Sequence, residues 1–244
     1  MPTKYSFLLL LILLAHQYTV AQNTNPFSSL RTKFQLVDFN LLHVYTDGPQ
    51  ETGNYSAQSI YPFKGSLLEP QLVLLLEQHL TLDTEDKTYF ASYRYPITEA
   101  QEVLILRVYD QAMQQNVIYG LVYNHQSQQF IQTIELATDY YAEGGNGATQ
   151  SWLTQLDQNT SKDILTRTYY ETYQADKDDP EEFKRIFKDQ VYLQIWDVAN
   201  FKKITVTDLE LKKCLQKQFH YLPATGIVLD DATQQSLEQW LKKH

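Results

Sequence analysis

Residues 88–137 read TYFASYRYPITEAQEVLILRVYDQAMQQNVIYGLVYNHQSQQFIQTIELA, and this stretch decides the fold. It holds four runs rich in β-branched and aromatic residues: TYFASYRY (88–95), EVLILRVYD (102–110), VIYGLVYN (117–124) and QFIQTIELA (129–137). Side chains that fit a pleated, half-buried surface dominate each run. The connectors PITEAQ, QAMQQN and HQSQ are too short for crossover helices, which need a dozen residues or more. The runs are therefore expected to pair in sequence order as an antiparallel meander.

The flanks extend that reading. FQLVDFNLLHVY (34–45) is read as one or two strands. EPQLVLLLEQHL (69–80) fits a three-turn helix opened by Pro70 or a buried strand equally well. DYYAEGGNGATQSW (139–152) concentrates three of the eight glycines and is read as a tightly folded loop. DILTRTYYETY (163–173) reads as a strand, and VYLQIWDVANFKKITV (191–206) as a hairpin with the cadence of a propeller blade. Between them, ADKDDPEEFKRIFKDQ (175–190) is expected to be an acidic loop and a short helix, with Pro180 at its first position and Glu181 and Glu182 at the positive dipole end.

Two helices are predicted at 207–219 and 231–243, the first from the Thr207–Glu210 capping-box spacing, the second from the apolar face of Leu237, Trp240 and Leu241. The expected class is mainly β: an antiparallel sheet or sandwich of propeller-like hairpins with peripheral C-terminal helices, as one domain over 22–244. LPATG (222–226), which resembles a sortase signal, is followed by an amphipathic helix pattern and reads as a turn.

The N-terminus predicts export. Lys4 precedes the apolar run FLLLLILLA (7–15), and TVA (19–21) places a small residue where a signal peptidase cuts. The apolar run is far short of the ~20 residues of a bilayer span. Losing residues 1–21 removes Lys4 and no acid, so the formal charge moves from −9 to −10. Such a surface disfavours nucleic acid and anionic lipid partners, and no membrane span is expected in the mature chain. With Cys214 as the single cysteine no internal disulfide forms, so the core must hold the fold unaided.

LDQNTSKDIL (156–165) carries an oxygen on every second residue, at Asp157, Asn159, Ser161 and Asp163. It resembles the calcium loops of integrin-alpha-type (FG-GAP) repeats, in which a metal-bound hairpin precedes a strand starting Asp-Ile or Asp-Leu. That resemblance implies calcium held by these four residues. Ser161 stands where an acid is usual, and Lys162 replaces the glycine that permits the sharp bend. The residues themselves therefore point to a metal-free polar turn, with Asp157 or Asn159 accepting neighbouring amides.

Enzyme signatures such as His-Glu-x-x-His, Gly-x-Ser-x-Gly and Cys-x-x-Cys do not occur. The function expected is an exported bacterial binding module for a protein or glycan, meeting its partner through the tyrosines of TRTYYETY and TDYYAEGG. The rival expectation is a secreted hydrolase using Asp157, Asp163, Asp139 or Glu143 near the glycine-rich segment.

Overall fold

The computed structural model describes residues 26–46, 55–56, 59–79, 86–142, 145–156, 161–175, 183–197, 199–208 and 239. The signal segment, Asp157, Asn159, Glu143, Cys214, residues 222–226 and, apart from Thr207, Asp208 and Gln239, both C-terminal helices lie outside them. The elements in chain order are helix α1 (Pro26–Thr32), strands β1 (Gln35–Leu36), β2 (Leu41–Val44) and β3 (Ser66–Leu67), and helix α2 (Pro70–His79). Strands β4 (Lys87–Pro96), β5 (Gln101–Asp110), β6 (Gln115–Asn124), β7 (Gln129–Ala142), β8 (Gly145–Thr154), β9 (Asp163–Ala175), β10 (Phe183–Asp197) and β11 (Asn200–Thr205) follow. The chain is mainly β, built on one 11-stranded sheet in the order β1-β4-β5-β6-β7-β8-β9-β10-β11, with β3 beside β4 and β2 beside β8.

The meander from β4 to β7 pairs antiparallel in sequence order, as the short connectors require. Two of its turns are built alike. Asp110 Oδ1 accepts the Met113 N–H, and Asn124 Oδ1 accepts those of Gln126 and Ser127. Each turn then closes on a glutamine in the left-handed region, Gln114 (φ 50°) and Gln128 (φ 56°). An Asx side chain that replaces the missing main-chain acceptor is what makes four-residue connectors without glycine workable.

Residues 102–109 of β5 are buried without a break, which marks the strand as central and covered on both faces. One face packs against the helices, joining Leu104, Leu106 and Leu121 to Leu30, Phe34, Leu72 and Leu76. The other face joins Val103, Ile105, Ile118 and Ile134 to Leu153, Ile164, Trp196 and Phe201 from β8 to β11. The second half of the sheet therefore curls back over the first. Gln132 of β7 latches the curl: its Nε2 donates to the Phe201 carbonyl at 3.0 Å, and its Oε1 accepts the Phe201 N–H at 2.8 Å.

One expectation is decided and two change. Of the two readings of 69–80, the helix is the one formed, as α2 over Pro70–His79, and α1 adds a helical segment just before the stretch 34–45 read as strands. The glycine-rich segment is a hairpin arm in which β7 runs to Ala142 and β8 starts at Gly145. A Cβ on Gly145 would lie 2.8 Å from the Glu171 carbonyl, and one on Gly147 2.7 Å from that of Tyr169. Those glycines serve close strand approach rather than a loop. Residues 183–190, expected as a helix, are instead the first half of β10, paired residue by residue with β9 from Phe183–Ala175 to Gln190–Thr168.

Candidate functional site

Asp163 opens β9 and is fully buried. Its Oδ2 accepts the Leu156 N–H at 3.1 Å and its Oδ1 the Trp196 N–H at 3.1 Å. One carboxylate thus ties the end of the β8 segment to β10. Tyr95 is buried close enough to feel this charge; burial first, and Asp163 second, push its phenol well above the usual range, so it stays neutral. Ser161 is also buried, and the Lys162 ammonium sits 5.7 Å from the Phe39 ring centre.

Of the four residues that the resemblance implies for calcium, Asp157 and Asn159 lie outside the described residues, while Ser161 and Asp163 are buried. Calcium takes 6–8 oxygens, several from carboxylates, whereas Asp163 faces inward and serves two main-chain amides. Asp157→Ala is expected to cost about 1 kcal/mol, the size of one local hydrogen bond, with or without calcium. Melts in EDTA and in millimolar calcium check this, because a filled site adds about 2.7 kcal/mol or more. A calcium-dependent rise in Tm that vanishes in Asp157→Ala would restore the metal reading.

Of the carboxylates named for hydrolysis, the two described ones, Asp139 and Asp163, do not converge. Asp139 lies opposite Ala148, and Asp163 opposite Thr154 on the same strand β8. Six residues of strand separate them, about 20 Å at ~3.3 Å per residue.

The arm formed by the outer halves of β9 and β10 brings aromatic residues together. Directly opposed residues of an antiparallel pair share a face. The pairs Ala175–Phe183, Tyr173–Arg185, Glu171–Phe187 and Tyr169–Asp189 therefore put Tyr169, Tyr173, Phe183 and Phe187 on one side. Tyr173 is 52% exposed, Phe183 66% and Phe187 54%. Tyr170, one residue along, belongs to the opposite face, and only one tyrosine of TRTYYETY is strongly exposed.

Ion pairs fix the residues between the rings. Arg185 grips Glu171 with Nε at 2.7 Å and Nη2 at 2.9 Å, and the Tyr173 hydroxyl donates to the same carboxylate at 3.1 Å. The hydrogen bond from Arg185 holds the Glu171 carboxyl below its ordinary value. Arg167 grips Asp189 through Nε at 3.1 Å and Nη2 at 2.8 Å. The rings thus stand in a lattice of bidentate pairs, which limits the freedom a partner would have to freeze out. The sequence signal for Phe183 and Phe187 was the alternation F-x-R-x-F-x-D, which the acidic residues before it masked.

No protein family, curated protein or solved structure matches the chain.

Proposed function

We propose that this chain is an exported, non-catalytic binding module that meets a protein or glycan partner on the aromatic face of the β9–β10 arm. The observation that carries the reading is the row of exposed rings, Tyr173, Phe183 and Phe187, on one side of a strand pair. Exposed apolar patches bounded by charged residues are a mark of contact surfaces. Aromatic rings supply large contact area at small entropic cost and stack on sugar faces or partner side chains alike. The commitment of Asp163 to main-chain amides, about 20 Å from Asp139, supports binding over carboxylate hydrolysis.

The double variant Tyr173→Ala, Phe187→Ala is expected to keep the melting temperature of the wild type, since both side chains are half exposed or more. It should lose capture of envelope proteins or of immobilised glycans by at least about tenfold, the effect of removing one or two anchor residues. Equal capture by both proteins would sink this reading. Export is tested separately by the intact mass of the secreted form, expected to lack residues 1–21. A cytosolic protein retaining Met1 would contradict it.

A further inference from the structure

β11 covers only Tyr192–Asp197 of the outer edge of β10. Among the described residues no strand lies beside 183–190 on that side. The Val206 N–H donates to the Val191 carbonyl, so the main-chain groups of Val191 point away from β9. Strand alternation then turns those of Phe183, Arg185, Phe187 and Asp189 toward the same open side. An exposed edge of this length, carrying two exposed rings, is a template for another strand.

We propose that the edge docks a second copy of this chain, β10 against β10, antiparallel about a two-fold axis through Phe187. A two-fold axis normal to the sheet pairs only residues of the same face, so the choice of register is small. With Phe187 opposite its own copy, Arg185 faces Asp189, Lys184 faces Gln190 and Ile186 faces Lys188, and the ladder stops short of Val191, whose carbonyl already accepts the Val206 N–H. Every opposed pair is apolar, oppositely charged or neutral-to-charged. Moving the axis to Ile186 sets Lys184 against Lys188. Moving it to Lys188 or to Arg185 sets each of those cations against itself. Like charges directly opposed are destabilising, so the cations of KRIFK select one register. Lysines usually blunt an exposed edge; here they reject the alternatives.

The consequence reaches beyond pairing. Both copies of Phe187 stand on the aromatic side, so the dimer joins two aromatic faces into one continuous surface. The inference does not depend on what that surface binds.

Sedimentation of the full chain over a concentration series tests it, with twice the chain mass expected at the high end. Phe187→Lys replaces a half-exposed ring and sets lysine against lysine, and it should weaken dimerisation about tenfold without unfolding the chain. In a Cys214→Ser background, Phe187→Cys should cross-link on oxidation, because a hydrogen-bonded pair brings its Cα atoms to about 5.5 Å, within disulfide reach. Phe183→Cys should not cross-link. A monomer at every concentration would overturn the proposal and leave the edge to a foreign strand. So would a dimer indifferent to Phe187→Lys, or equal cross-linking at positions 183 and 187.

Discussion

Arg107→Ala is expected to destabilise the fold by about 4 kcal/mol or more, a large share of the ~5–15 kcal/mol that holds a domain together. Arg107 sits in the apolar run of β5 and is fully buried. Its Nε donates to the Phe63 carbonyl at 3.1 Å, its Nη2 to that of Lys64 at 2.8 Å and its Nη1 to Asn116 Oδ1 at 2.7 Å. The guanidinium lies 3.8 Å from the Phe90 ring centre and 4.9 Å from that of Tyr55. Burial draws its pKa below the ordinary value, and the carbonyls and ring faces offset that cost.

Removing the side chain takes its donors from three acceptors, of which the Phe63 carbonyl keeps the Ser92 hydroxyl, and leaves a cavity; each lost bond is worth about 1–3 kcal/mol. It also frees the turn at Gly65, which has a φ of 64° and where an added Cβ would lie 2.8 Å from the Ala91 carbonyl, just before β3 and α2. Urea unfolding followed by tryptophan fluorescence checks this through the midpoint. Arg107→Lys should recover only part of the loss, because a lysine cannot reproduce the fork. A change below about 1 kcal/mol would mean that water replaces the side chain.

Asp163→Ala should cost about 2–5 kcal/mol, because it leaves the Leu156 and Trp196 amides buried without an acceptor. Asp163→Asn keeps one acceptor and sets an NH2 against the other amide, so an intermediate loss is expected. Hydrogen exchange separates this from a simple loss of packing: the Trp196 amide should become labile ahead of the amides of β5. Unchanged protection at Trp196 would show that its bond to Asp163 is dispensable.

The meander was legible because its signals are local: runs of β-branched and aromatic residues and connectors too short for crossover helices. The helical reading of 183–190 failed for the opposite reason. Pro180, Glu181 and Glu182 mimic a helix start, while the partner that makes this segment a strand, residues 168–175, is paired through tertiary structure. Glycines 145 and 147 suggested a loop because sequence spacing does not reveal a neighbouring strand's carbonyl within 3 Å. Asp163 was read as a calcium ligand or a hydrolytic carboxylate, and its inward direction depends on the curl that brings Trp196 over it. Arg107 carried a usable signal, a lone cation in EVLILRVYD on the face of Val103 and Ile105, and a buried structural role was the physical reading open to it.

The curl explains why the arm is the surface on offer. The inner halves of β9 and β10 bury Ile164, Leu165, Val191 and Leu193, whereas the outer halves leave that core and keep their rings in solvent. Hydrogen–deuterium exchange of the full chain with and without its captured partner tests the account most directly. Binding should slow exchange in 167–175 and 183–190 and leave 101–124 as it was. Protection centred instead on Leu36, Leu67 and Leu74, the exposed apolar residues of β1, β3 and α2, would contradict it.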